Sequence, residues 1–133
     1  MMNTLKDKTV LIADDDMDII TQLSLQLTKI GMKVITAETQ KDAESIIEKT
    51  KPDLAIFDLM MDNRDIGFIL SYKLKKKYPE VPVIIITGVT ADTGMMFGLE
   101  SEEQKKWIKA DLYLEKGLRP EQLQMEIKKL LKI

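Results

Sequence analysis

The 133-residue sequence has no cysteine and no histidine. Without thiols there can be no disulfide scaffold, no thiolate zinc site and no Cys nucleophile. Without imidazole there is no Ser-His-Asp triad and no His-ligated metal, and nothing in the chain can carry a phosphoryl group on a histidine nitrogen. Gly and Pro are few, 6 and 4, and no Pro-rich linker, internal repeat or low-complexity tract divides the chain. Long apolar runs are missing too. The longest, Val81 to Ile86, is far too short to span a bilayer, and Met1 to Lys8 has no apolar core of signal-peptide type. A cytoplasmic protein without a membrane partner is expected. Neither sign of charge dominates, with 20 Lys plus Arg against 22 Asp plus Glu. A broad electrostatic grip on nucleic acid is therefore not expected. The chemistry left to this chain is that of carboxylate, hydroxyl, amine and backbone.

What is present reads as one soluble domain, since a hydrophobic fraction of 44% in 133 residues suffices for a single core. Short apolar runs alternate with longer amphipathic segments, the pattern of a parallel sheet with helices on its faces. The runs are Thr9 to Ala13, Met32 to Ile35, Leu54 to Phe57, Val83 to Ile86 and a weaker Leu112 to Leu114. Between them, Ile19, Leu23, Leu27 and Ile30 form the apolar stripe of a first helix, with Gly31 as its left-handed cap. Thr39 and Asp42 start a second helix, and Leu70, Leu74 and Tyr78 mark a third, stopped by Pro79. Ser101 and Gln104 predict a capping box for a helix at about 102–109, which leaves 88–100 as a long loop. A last helix begins near Arg119 and Pro120 and runs to the end of the sequence, so residues 1–133 are expected to be a single domain with no output domain.

In an open parallel sheet, ligands bind beyond the carboxyl ends of the strands. The residues at those positions are Asp14, Asp15 and Asp16 after the first run, Asp58 after the third, Thr87 at the end of the fourth and Lys116 after the fifth. Carboxylates meeting there repel one another unless a cation neutralises them, and Mg²⁺, a hard ion taking oxygen ligands, fits. An EF-hand calcium loop starting at Asp14 is excluded, because Ile19 stands where glycine is needed and Leu25 where the bidentate glutamate belongs. A flavin carrier would want an uncharged, hydroxyl-rich loop after the first strand. A phosphohydrolase with an Asp nucleophile would want a second Asp two residues after Asp58, where Met60 stands.

The triplet Asp14-Asp15-Asp16 after Ala13, the stretch Leu54 to Met61 around Asp58, the Ile86-Thr87 pair and the run Ala110 to Lys116 together resemble the motifs of the response-regulator receiver domain of two-component signalling. The resemblance covers essentially the whole chain. It implies a doubly wound, flavodoxin-like α/β fold with strand order 2-1-3-4-5, from which the extended loop before the fourth of five helices is a departure. It also implies that Asp58 is the phosphoacceptor, that Asp14, Asp15, Asp58 and the backbone carbonyl of Met60 serve Mg²⁺, and that Thr87 and Lys116 contact the phosphoryl oxygens. Tyr113 matches an aromatic switch residue. The implied partners are a histidine kinase or phosphotransfer protein and a downstream protein, with self-phosphorylation but no enzymatic turnover. Apolar Met60 and Val89, which flank the water route in this family, imply slow self-dephosphorylation.

The sequence also departs from the family. Gly117 follows Lys116 where a cis-proline is usual, and Met61 to Gly67 lacks a proline and holds one extra residue. Gly88 follows Thr87, and Met95, Met96 and Phe97 enrich the long loop, where they either fold back on the core or form a docking patch. These departures leave a second reading, a receiver-like module that works by protein contact without phosphorylation.

Overall fold

The computed structural model describes residues 5–61, 66–87, 110–115 and 119–132. Within them lie five strands, β1 (Thr9–Ala13), β2 (Lys33–Ala37), β3 (Leu54–Asp58), β4 (Val83–Thr87) and β5 (Leu112–Glu115), and four helices, α1 (Met17–Lys29), α2 (Gln40–Lys49), α3 (Ile66–Lys77) and α4 (Pro120–Leu131). The strands form one parallel sheet in the order β2-β1-β3-β4-β5. The helix expected at 102–109 and the 88–100 loop lie outside the described residues.

Side chains alternate across each strand, and here both faces are apolar because both are covered. On one face Leu11, Ala13, Ala55, Phe57, Val83 and Ile85 pack against α2 and α3 through Ala43, Ile47, Leu70 and Leu74. On the other, Val10, Ile12, Ile56, Ile84 and Ile86 meet α1 and α4 through Ile20, Leu27, Leu123 and Ile127. β1, β3 and β4 are thus sandwiched, and their continuous apolar runs follow from it.

Helix ends obey local chemistry. Asp16 caps α1 by accepting from the Asp18 amide at 2.9 Å, and Thr39 Oγ1 caps α2 by accepting from the Asp42 amide at 3.1 Å. α1 closes in a Schellman turn. The Met32 amide donates to the Leu27 carbonyl and the Gly31 amide to Thr28, with Gly31 at φ 96°, as the sequence predicted for that glycine. That turn takes up Met32, which explains why β2 begins one residue later than its apolar run suggested. Tyr78 falls just past the end of α3, although its amide still donates to Leu74 at 2.7 Å and its hydroxyl donates to the Ile47 carbonyl of α2 at 3.2 Å. The Lys73–Glu44 ion pair adds a second tie between α2 and α3.

Candidate phosphoacceptor site

The parallel register determines which residues emerge together at the carboxyl edge. Ala13 pairs with Phe57, so Asp14 and Asp58 stand side by side one step further on. Asp58 in turn pairs with Ile86, which leaves Thr87 one residue higher on the neighbouring strand. Asp14, Asp58 and Thr87 are all buried, whereas Asp15 is exposed. Carboxylate oxygens of Asp14, Asp15 and Asp58 lie within 4.8 Å of one another. This is a hard-oxygen donor set, open to solvent through Asp15, and it suits a small divalent cation that keeps some of its waters.

Several backbone contacts aim these groups. The Asp16 amide donates to Asp14 Oδ1 at 2.9 Å, and the Asp14 amide donates to the Ala37 carbonyl of β2 at 3.1 Å. Asp16 therefore orients Asp14 with its amide while its side chain caps α1. Past Asp58, the Leu59 amide donates to Ile86 at 2.9 Å, and the Leu59 carbonyl accepts from the Gly67 amide at 3.0 Å. An added Cβ on Gly67 would lie 2.5 Å from the Asp58 carbonyl oxygen and 2.8 Å from Leu59 Cα, so α3 packs directly on the chain that carries Asp58. The sequence marked this glycine only by its position in the loop. Its close approach to Asp58 is visible only in three dimensions. A cleft of about 580 Å³ opens beside Asp15, with Met61 and Ile66 at its base and Glu38, Thr39 and Lys41 at its rim.

Met60, whose carbonyl the resemblance implies as a metal ligand, has an exposed side chain. Tyr113 lies opposite Ile85 on β5 and packs against the α2–α3 side of the core. Its hydroxyl is buried with no hydrogen-bond partner among the described residues, and burial pushes its pKa up to about 12. Lys116, Gly117, Gly88 and Val89 lie outside the described residues.

The raised tyrosine pKa has a defined consequence. A phenol whose folded pKa exceeds its unfolded value stabilises the fold in its neutral form, fully below pH 10, and this contribution is lost as pH rises from 10 toward 12. In an ultraviolet titration, one tyrosine of the three is expected to ionise last, and Tyr113→Phe to remove that late step. Because the substitution deletes a buried hydroxyl that has no partner among the described residues, the Phe protein should match or exceed wild-type stability, by up to about 1 kcal/mol. A clear destabilisation would mean that the hydroxyl is satisfied.

Residues 10–128 match the family model of the response regulator receiver domain, and the chain belongs to that family. It is 34% identical over 131 residues to the probable transcriptional regulator ycf27 of Porphyra purpurea, an alignment covering 98% of this chain and 50% of that protein. With the alkaline phosphatase synthesis transcriptional regulatory protein PhoP of Bacillus subtilis (strain 168) it shares 29% over 126 residues, covering 95% and 49%. The chain thus spans about half the length of these curated relatives. Among solved structures, the CheY-like response regulator receiver domain protein of Methanospirillum hungatei JF-1 superposes with a TM-score of 0.78 at 28% identity, covering 96% of this chain and 95% of that one. Among the described residues no helix is long and apolar enough to cross a membrane.

Proposed function

We propose that the chain accepts a phosphoryl group from a histidine kinase or phosphotransfer protein onto Asp58 and thereby changes its affinity for a partner protein. The observation that carries this reading is the meeting of Asp14, Asp15 and Asp58 at the carboxyl edge of the sheet, with the Thr87 hydroxyl one strand over. In the transfer, an Asp58 carboxylate oxygen attacks phosphorus, the bond from phosphorus to the donor nitrogen breaks, and the donor imidazole leaves. Asp14, Asp15, Asp58 and the Met60 carbonyl would hold Mg²⁺. When bound, the ion supplies positive charge against the phosphoryl oxygens. Thr87 donates its hydroxyl to one of those oxygens, and the Lys116 amine pairs with another. Tyr113 is the aromatic whose inward or outward rotamer would report the switch. The expectation that nucleic acid is not a direct partner rests on charge alone. It is weakened by relatives about twice as long that are named transcriptional regulators.

Incubation with acetyl phosphate or phosphoramidate plus Mg²⁺ is expected to give one phosphoryl adduct by intact mass, absent without Mg²⁺ and absent from the Asp58→Asn protein. No adduct from either donor would favour the phosphorylation-independent module.

A further inference from the structure

Two turns of the same kind stand end to end at the start of α1. The Asp16 amide donates to Asp14 Oδ1 at 2.9 Å, and two residues further on the Asp18 amide donates to Asp16 Oδ1 at 2.9 Å. The Asp16 carbonyl in turn accepts from the Ile20 amide at 3.1 Å. Asp16 is thus gripped through amide, side chain and carbonyl, and the grips face opposite ways. Its amide holds a buried carboxylate at the sheet edge, while its side chain and carbonyl hold the first turn of α1. Aspartates commonly close single turns of this sort, and a single one is ordinarily a local device.

Here the two turns share a residue, so the helix cap and the buried carboxylate are coupled. Asp14 is anchored on one side by β2, where its own amide donates to the Ala37 carbonyl at 3.1 Å. On the other side the Asp16 amide takes Oδ1, and a charge-assisted bond to one carboxylate oxygen fixes the direction of the second. Asp15 stands between these two pinned residues, so its backbone is held at both ends. Asp14 and Asp15 supply two of the three carboxylates whose oxygens lie within 4.8 Å, and Asp16 is not among them. Mg²⁺ demands near-octahedral geometry at short distances, which makes the direction of each ligand matter.

We propose that the Asp16 side chain is a positioning group for the metal. By capping α1 it keeps its own backbone amide on Asp14, and so sets the direction of the Asp14 carboxylate and the path of the chain through Asp15. The proposal rests on the reading of Asp14, Asp15 and Asp58 as the Mg²⁺ set. It assigns Asp16 more than a cap, since a cap alone would alter stability and leave affinity for the ion untouched. Groups that hold ligands without touching the metal commonly change affinity by roughly 10–100-fold. The effect expected here is smaller, because the amide is loosened and not removed.

The test measures Mg²⁺ binding by titration calorimetry at a temperature where circular dichroism shows every variant folded. Asp16→Asn and Asp16→Ser remove the charge but keep a capping oxygen, whereas Asp16→Ala removes both. Loss of one exposed, screened charge should weaken binding by about twofold at most, in all three variants alike. The Asn and Ser proteins should therefore stay within that range of wild type, and the Ala protein should bind roughly three- to tenfold more weakly than the Asn protein. Hydrogen exchange should show the amide at position 16 losing protection in the Ala protein and keeping it in the Asn protein. Thr39→Ala, which removes the corresponding cap from α2, should lower the melting temperature as Asp16→Ala does and leave Mg²⁺ affinity unchanged. Equal affinities in the Ala and Asn proteins would overturn the proposal and leave Asp16 a helix cap. An equal loss of affinity in Thr39→Ala would also overturn it, by tracing the loss to general loosening. A wild type without saturable Mg²⁺ binding would overturn the metal reading itself.

Discussion

Replacing Gly67 with alanine is expected to disable the site and weaken the fold in one step. The new Cβ would stand 2.5 Å from the Asp58 carbonyl oxygen and 3.0 Å from its carbonyl carbon. Both are backbone atoms, which cannot swing aside as a flexible side chain would. Either α3 backs away from β3, losing the Gly67-to-Leu59 hydrogen bond and loosening Leu70 and Leu74 in the core, or Asp58 shifts relative to Asp14 and Thr87. Overpacking of this kind costs roughly 1–3 kcal/mol. If Asp58 accepts the phosphoryl group as proposed, a displacement near an ångström there would cost on the order of 10²-fold in rate. Urea unfolding and the rate of adduct formation read the two effects separately. An alanine protein that accepts phosphate at the wild-type rate would show that the contact yields without moving Asp58.

The second large effect is expected from the metal. If Asp14, Asp15 and Asp58 hold Mg²⁺ in the folded state and the unfolded chain does not, mass action stabilises the fold as the ion is added. At a hundredfold excess over the dissociation constant this amounts to about 2.7 kcal/mol. For a domain of this size that is a rise in melting temperature on the order of 10 °C. A chelator should reverse it. Asp58→Asn and Asp14→Asn should each reduce or abolish the rise, because each takes one oxygen anion from the set within 4.8 Å. An equal rise in wild type and in both variants would place the ion elsewhere on this acidic protein.

How much of this was legible in the sequence depended on the range of the interaction. The sheet could be read because β1, β3 and β4 are covered on both faces and their residues are apolar without interruption. β2, at the edge, mixes exposed and buried positions, and its ends were misplaced by a residue or two. The carboxylates and Thr87 were legible because a parallel sheet collects strand ends at one edge, so a position in sequence implies a position in space. Gly31 was legible for a local reason, since a helix that ends in a left-handed turn favours glycine. Gly67 was not, because its requirement is closeness to a chain segment eight residues earlier and not a backbone angle. The pairing of Lys75 with Asp111 crosses 36 residues, and a lone lysine in a basic run carries no mark of it. Tyr78 read as helical because its spacing fits, although Pro79 requires the helix to end before it.

The aspartate triplet bears on how this chain tolerates change. Its three carboxylates are chemically alike but do different work. Asp14 is buried and aimed by an amide, Asp15 faces solvent beside the cleft, and Asp16 caps a helix. Gain or loss of a single residue between Val10 and Asp16 would leave the composition almost untouched and still reassign all three, putting a cap in the buried place and a solvent-facing group under the helix. Substitutions can accumulate on the outer helix faces one at a time, but the strand-to-helix junction can change length only if β1 and α1 are both rebuilt. Among descendants of this sequence, length variation should collect elsewhere and spare this corner.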